Sequence, residues 1–144
     1  MSTLTSLLEP VSVPEALPHR LDPSQLAAAL ARGATLVDIR PQSRRTREGA
    51  LPGALALDRR HLSTLLDPQS PGRLTRARHH GIAWVLVCGD GTDSPAATAS
   101  LRQLGLFRVT DVAGGFVALR RARLCQVASA APHFVHELDS LAQL

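Results

Sequence analysis

The chain of 144 residues contains no lysine, and all 16 of its basic residues are arginine. Aromatic residues make up 3% of it, and none alternates with arginine as in a surface that stacks on nucleic-acid bases. No apolar run reaches the roughly 18 residues that a membrane-spanning helix needs. We therefore expect no nucleic-acid partner and no membrane insertion, and GC-rich coding explains the arginine-only basic set as well as function would.

Cysteine is also scarce, since Cys88 and Cys125 are the two in the chain. Two cysteines are too few for a disulfide scaffold, which favours a reducing cytoplasm. The N-terminal segment has no basic region and reaches Glu9 before any proper apolar stretch, unlike a signal peptide. Cys125, His133 and His136 match no common zinc spacing and lack a fourth ligand. We predict a cytoplasmic protein without a bound metal or cofactor.

The remaining composition, 44% hydrophobic and 19% charged with a net charge of +4, is typical of one globular domain. Residues 1–19 carry three prolines among small and apolar residues, which predicts an irregular arm. We place the ordered domain over residues 20–124. The tail over residues 125–144 has apolar residues at helical spacing, so we expect a helix packed on the domain.

Short apolar runs alternate with helical segments along the domain. The predicted strands cover residues 35–39, 54–57, 83–87 and 109–112. The predicted helices cover residues 23–32, 59–66, 94 to near 105, and 115–123. This alternation predicts an α/β fold whose parallel sheet carries helices on both faces.

Cys88 directly follows the apolar strand predicted over residues 83–87, at the edge of a parallel sheet where ligands bind. Gly89 and Gly91 allow the next loop to turn its N–H groups inward as an anion-binding nest. Ser94 is predicted to be the N-cap of the following helix, whose dipole adds positive potential. Both features stabilise a cysteine thiolate, so we favour a nucleophile over a small buried hydrophobic residue.

Four motifs in this order resemble those of a rhodanese (sulfurtransferase) domain. Residues 36–40 are similar to the family's strand that ends in Asp-x-Arg, and residues 49–54 resemble its Gly-His-Ile-Pro-Gly-Ala turn without the histidine. Residues 88–94 are similar to its Cys-x-x-Gly-x-x-Ser loop. Residues 104–119 resemble its Gly-Gly ending, with Leu119 in place of tryptophan.

The resemblance implies a five-stranded parallel fold and a sulfur-transfer mechanism. The Cys88 thiolate would attack the outer sulfur of thiosulfate or a persulfide donor, and the resulting Cys88 persulfide would pass that sulfur to a thiol or cyanide. Donor and acceptor are small sulfur compounds, or proteins that carry them. Asp38 and Arg40 would support the scaffold through a salt bridge beside the site. The implied substrate-binding residues are Gly89, Asp90, Gly91, Thr92, Asp93 and Ser94.

The loop departs from the familiar family pattern in its charge. Asp93 stands where that pattern has arginine, and Asp90 adds a second carboxylate, so the loop destabilises a thiolate and repels thiosulfate. We expect low thiosulfate activity. Arginines within residues 44–47 restore positive potential in one interpretation. In the others, the donor is a neutral or protein-bound persulfide, or the domain is a non-catalytic module that binds a partner or senses sulfur or oxidant through Cys88.

A cysteine phosphatase can be tested on the same loop. Its chemistry needs an arginine that closes the loop and holds phosphoryl oxygens bidentately. Residues 92–95 contain none, and Arg102 follows two helical turns later. The sequence therefore disfavours phosphatase activity.

Overall fold

The structure is a computed structural model that describes residues 17–130. Within them, a parallel four-stranded sheet has the order β2-β1-β3-β4. The strands are β1 (Thr35–Asp38), β2 (Leu55–Ala56), β3 (Trp84–Val87) and β4 (Val109–Asp111). Each lies inside a predicted run, and β1, β3 and β4 are buried on both faces, as their apolar runs predict.

The fifth strand implied by the resemblance is reduced to a single parallel bridge between Leu21 and Val112 in the described part of the chain. The Leu21 N–H donates to the Asp111 carbonyl at 2.8 Å. The chain cannot extend this pairing, because the next residue, Asp22, caps a 3-10 turn over Pro23–Gln25. The expected parallel fold is therefore present with a shorter edge.

Five α-helices flank the sheet in the described region. They are α1 (Leu26–Ala31), α2 (Gln42–Glu48), α3 (Leu62–Leu66), α4 (Ser94–Gln103) and α5 (Gly115–Arg121). Further 3-10 turns cover Arg59–His61 and Ala128–Ala130. Helix α2 was not predicted, because it buries no residue and therefore shows no apolar periodicity. None of the described helices is long and apolar enough to cross a membrane.

Successive strand residues belong to two different hydrophobic clusters, which confirms the predicted helices on both faces. Leu36 and Val85 pack in the cluster that includes residues of α1 and α5. Val37 and Leu86 pack in the cluster that includes residues of α3 and α4. The strand order places β3 between β1 and β4, so the carboxyl ends of both neighbours lie beside the loop that follows β3.

The proposed domain limits at residues 20 and 124 stay a prediction. The short segment before Leu21 lies against the sheet, since the Thr110 hydroxyl donates to the Pro18 carbonyl at 2.9 Å. At the other end, Leu124 and Val127 pack on the hydrophobic cluster that includes residues of α1 and α5. Of the tail over residues 125–144, for which a packed helix is expected, Ala128–Ala130 form a 3-10 turn, and residues 131–144 lie outside the described residues.

Candidate functional site

The candidate site lies at the carboxyl ends of three adjacent strands. Strand β3 ends at Val87 and is followed by Cys88, while Asp38 ends β1 and Asp111 ends β4. Only 3% of Cys88 is exposed. The topology therefore brings a buried thiol and two buried carboxylates to one edge of the sheet.

Two groups of the loop contact the sulfur. The Gly91 N–H donates to Cys88 Sγ at 3.0 Å, with Gly91 in the left-handed region at φ +86°. The Ser94 hydroxyl oxygen lies 3.5 Å from the same sulfur. The loop thus turns one backbone donor toward the sulfur, and glycine is the residue that adopts this conformation without strain.

Ser94 has a different role from the predicted helix cap. Helix α4 begins at Ser94, and Asp93 is the cap residue without a side-chain hydrogen bond. The buried Ser94 hydroxyl instead donates to Asp111 Oδ2 at 2.6 Å. The Asp111 carboxylate on the neighbouring strand is a stronger acceptor than the cysteine sulfur, so it accepts the hydrogen bond of the Ser94 hydroxyl.

The paired glycines before α5 support the loop from behind. A Cβ on Gly115 would lie 2.4 Å from the Cys88 carbonyl oxygen. The close approach allows the Phe116 N–H to donate to that same oxygen at 2.8 Å and the Val117 N–H to donate to the Gly89 oxygen at 3.0 Å. The Gly-Gly motif is therefore required by backbone contact with the cysteine loop.

Arg20 completes the site, and sequence reasoning missed its role. Its Nε and Nη2 donate to the two oxygens of Asp111 at 3.2 and 3.0 Å. Its Nη2 also donates to the Gly91 carbonyl at 2.6 Å. Arg20 precedes Gly91 by 71 residues and belongs to no local motif, so nothing in the sequence pattern pointed to it.

The two loop carboxylates make separate contacts away from the sulfur. Asp90 Oδ1 accepts from the hydroxyl and the N–H of Thr92 at 2.6 and 3.1 Å, and these bonds lower the pKa of Asp90. Asp93 pairs with Arg59 at 3.3 Å, and both side chains are exposed. The Thr92 N–H is therefore engaged by Asp90, while Gly91 and Ser94 address Cys88.

One arginine of the segment 44–47 lies against the loop. A Cβ on Gly89 would be 2.9 Å from Arg44 Nη2. That nitrogen also donates to Glu48 Oε2 at 2.9 Å, which places Arg44 between the acidic helix end and the loop. Arg45 instead donates to the Arg40 carbonyl. Arg44 is thus the arginine of this segment that brings positive charge to the loop.

Asp38 and Arg40 form a fully buried ion pair beside the site. Arg40 Nη2 and Nε donate to the Asp38 carboxylate at 2.8 and 3.1 Å, and Nη2 also reaches the Gly49 carbonyl at 2.9 Å. The guanidinium carbon lies 3.7 Å from the centre of the Phe116 ring. The pair therefore connects the end of β1 to the helix that carries Phe116.

Cys125 is partly buried against the hydrophobic cluster that includes residues of α1 and α5. Burial raises the pKa of its thiol, and the positive charges of Arg40 and Arg120 oppose that effect. Its two potential metal partners, His133 and His136, lie outside the described residues. Among residues 17–130, no group of three metal-binding side chains is found.

Comparison with known proteins gives a family and several similar folds. The family model for the rhodanese-like domain matches residues 22–122. A Rhodopseudomonas palustris protein, described as of unknown function and a possible tyrosine phosphatase, has a TM-score of 0.65 and 26% identity, covering 78% of this chain and 97% of its own. The human single-domain sulfurtransferase TSTD1 has a TM-score of 0.62 and 23% identity, covering 73% and 97%.

A rhodanese-related protein from Thermoplasma volcanium has a similar fold. It has a TM-score of 0.56 and 19% identity, with 73% of this chain and 93% of that chain covered. No curated protein sequence matches this chain. At these identities, TSTD1 and the Thermoplasma protein establish the fold, and the family model establishes the family.

Proposed function

The chain belongs to the rhodanese-like domain family, and from that membership we propose that it is a sulfurtransferase whose Cys88 carries sulfur as a persulfide. The observation that carries this proposal is the Gly91 N–H that points at Cys88 Sγ from 3.0 Å. A donor in this place stabilises negative charge on the cysteine sulfur, as thiolate attack requires.

The reaction takes place in two steps. The Cys88 thiolate attacks the outer sulfur of the donor, a new S–S bond forms, and the donor's own S–S bond breaks with its electron pair leaving on sulfite or on a thiolate. An acceptor thiolate or cyanide then attacks the outer sulfur of the Cys88 persulfide. The bond between that sulfur and Sγ breaks, and its electron pair regenerates the Cys88 thiolate.

The loop favours a neutral or protein-bound persulfide donor over thiosulfate. The Asp90 carboxylate already occupies the Thr92 N–H, and Asp93 adds a further exposed negative charge. Arg44 supplies positive charge at Gly89 but is itself paired with Glu48. A doubly charged donor therefore meets repulsion that an uncharged persulfide avoids.

Intact-mass spectrometry after incubation with a low-molecular-weight persulfide or thiosulfate tests the proposal. The wild-type chain and its Cys125→Ser variant should gain the mass of one sulfur atom and lose it when a thiol is added. Cys88→Ser should gain none. An adduct that persists in Cys88→Ser, or no adduct with either donor, would contradict the proposal.

A second candidate, a module that senses sulfur or oxidant without turnover, is favoured by one observation. Cys88 is only 3% exposed, which limits the access of an acceptor. A sensor would form the Cys88 adduct and transfer it slowly, so the release rate on adding thiol separates the two. A thiosulfate turnover of roughly 10 per second or more would contradict both the sensor and the expected low thiosulfate activity.

The phosphatase description of the Rhodopseudomonas protein is not extended to this chain. That chemistry needs an arginine that closes the loop and holds phosphoryl oxygens bidentately, and residues 92–95 contain none. Of the nearby arginines, Arg59 pairs with Asp93 at 3.3 Å, and Arg20 binds Asp111. The loop is therefore proposed to handle sulfur rather than phosphate.

A further inference from the structure

We infer that Asp111 sets the reactivity of Cys88 by fixing which way the Ser94 hydroxyl points. Asp111 accepts the hydrogen bond of the Ser94 hydroxyl, so Ser94 presents an oxygen lone pair to the cysteine sulfur. That lone pair favours the thiol over the thiolate. Asp111 is a positioning residue in this arrangement, since it acts on the sulfur through Ser94. The inference rests on the proposed function for its catalytic consequence, while its test does not require sulfur transfer.

The direction of the hydrogen bonds follows from counting protons. A serine hydroxyl has one hydrogen and two lone pairs. The contact from Ser94 Oγ to Asp111 Oδ2 is 2.6 Å, in the range of a strong charge-assisted bond, whereas the contact to Cys88 Sγ is 3.5 Å. The hydrogen is therefore committed to Asp111, and Ser94 can accept the Cys88 S–H but offers nothing to a thiolate.

Arg20 keeps this arrangement in place. Its two bonds to Asp111 hold a carboxylate that is only 3% exposed, and its third bond holds the Gly91 carbonyl. The guanidinium thus places a positive charge directly on the Asp111 carboxylate. It also joins Asp111 to the residue whose N–H contacts Cys88 Sγ. Loss of the Ser94 bond would leave Asp111 still satisfied by Arg20.

Activation of Cys88 works against this arrangement. The S–H bond breaks and its proton leaves to solvent or to a base on the substrate, while the electron pair stays on Sγ. As long as the Ser94 O–H remains on Asp111, the new thiolate has the Gly91 N–H as a donor and faces an oxygen lone pair of Ser94. The Asp111 contact thus slows reaction at neutral pH, in addition to the repulsion by Asp90 and Asp93.

The test measures the alkylation rate of Cys88 by iodoacetamide against pH, in a Cys125→Ser background so that one thiol reacts. Asp111→Asn removes the charge that fixes the hydroxyl, and should lower the pH midpoint of alkylation by about one unit, with a rate roughly tenfold higher below the midpoint. Ser94→Ala removes the acceptor of the S–H and should lower the midpoint as well. When Asp111→Asn is added to Ser94→Ala, the midpoint shift that it causes should be less than about half of the shift that it causes alone.

The matched control is Asp93→Asn, which removes an exposed carboxylate of the same loop that does not bind Ser94. Its shift should be smaller than that of Asp111→Asn, since solvent screens it. The other charges beside the loop, those of Asp90, Arg44, Arg20 and the Asp38–Arg40 pair, are unchanged in all of these variants. Circular dichroism checks that each variant is folded.

Two results would overturn the inference. A rise of the midpoint in Ser94→Ala would mean that Ser94 donates to the thiolate. An equal Asp111→Asn shift with and without Ser94 would mean that Asp111 acts by charge alone. If Asp111→Asn does not fold, the sign of the Ser94→Ala shift still decides. All of these outcomes stand whether or not Cys88 transfers sulfur, which the intact-mass experiment measures separately.

Discussion

At the scale of single residues, the contacts around Cys88 come from distant parts of the chain. The sequence predicted Cys88, Gly91 and Ser94 as site residues, because one continuous loop carries them. It did not identify Arg20 and Asp111, because their contacts depend on how the sheet edge brings the start of the domain beside β4. Local motifs predict the candidate nucleophile and its loop, whereas the side chains that contact this loop from elsewhere come together by tertiary packing.

The charge of the loop leads to one prediction about donor choice. Asp93→Arg replaces a negative by a positive charge and releases Arg59 from its ion pair, so thiosulfate turnover should rise by about tenfold. Asp93→Asn, which only removes the negative charge, should give part of that increase. Steady-state thiocyanate formation measures both. An unchanged rate in Asp93→Arg would refute the role of loop charge.

The buried ion pair leads to a prediction about stability. Asp38→Ala leaves the Arg40 guanidinium buried without its main partner, and should lower the free energy of unfolding by roughly 3–5 kcal/mol. Replacing both residues, as Asp38→Ala with Arg40→Met, should cost less than the single change. Urea denaturation measures each. A double variant less stable than Asp38→Ala would show that Arg40 stabilises the fold through its other contacts instead.

At the scale of elements, the strands and helices that could be predicted from the sequence are those with a clear pattern of apolar residues or turn signals. Strands β1, β3 and β4 were predicted because they are short buried runs, and α4 because Pro95 stands in its first turn and Gly105 follows its end. Helix α2 was missed, since its sequence is polar and none of its residues is buried. That helix nevertheless carries Arg44 to the loop, so a polar element with no core contact contributes directly to the charge of the site.

Packing of α5 against the cysteine loop can be tested at Gly115. With φ at +58° and no room for a Cβ beside the Cys88 carbonyl, Gly115→Ala should lower stability by about 3 kcal/mol and disturb Cys88 alkylation. Gly33→Ala is the matched control, because Gly33 also has a positive φ but nothing within 4 Å of a Cβ. It should cost about 1–2 kcal/mol and leave alkylation unchanged. Equal effects of both would contradict the backbone contact.

At the scale of the whole molecule, the fold class and the order of the elements could be predicted, because alternating strands and helices allow few topologies. The reduction of the fifth strand to one bridge could not be predicted from the sequence. It results from the 3-10 turn over Pro23–Gln25, which begins directly after Asp22. Net charge also misleads, because a chain of charge +4 carries an acidic loop at its proposed site. The distribution of charge therefore matters more for function than the total.

Stability of the whole chain should depend on pH on the acid side. Hydrogen bonds from neighbouring side chains lower the pKa values of Asp22, Glu48, Asp58 and Asp90. A depressed folded-state pKa contributes stability that is present above the unfolded pKa of about 4 and is lost as pH falls through the folded value. The urea concentration at which half of the protein is unfolded should therefore decrease when the pH is lowered below about 4. Glu48→Gln should show a shallower fall, and an unchanged midpoint between pH 5 and pH 2.5 would contradict this.

The central claim, that Cys88 receives sulfur and passes it on, is tested most directly by a single-turnover chase. The chain is loaded with a persulfide donor, freed of excess donor by gel filtration and mixed with an acceptor thiol, and the sulfur on protein and acceptor is measured by mass spectrometry. We predict that the Cys88 adduct disappears while an equal amount of acceptor persulfide forms, and that Cys88→Ser transfers none. An adduct that stays on Cys88, or transfer that persists in Cys88→Ser, would contradict the claim.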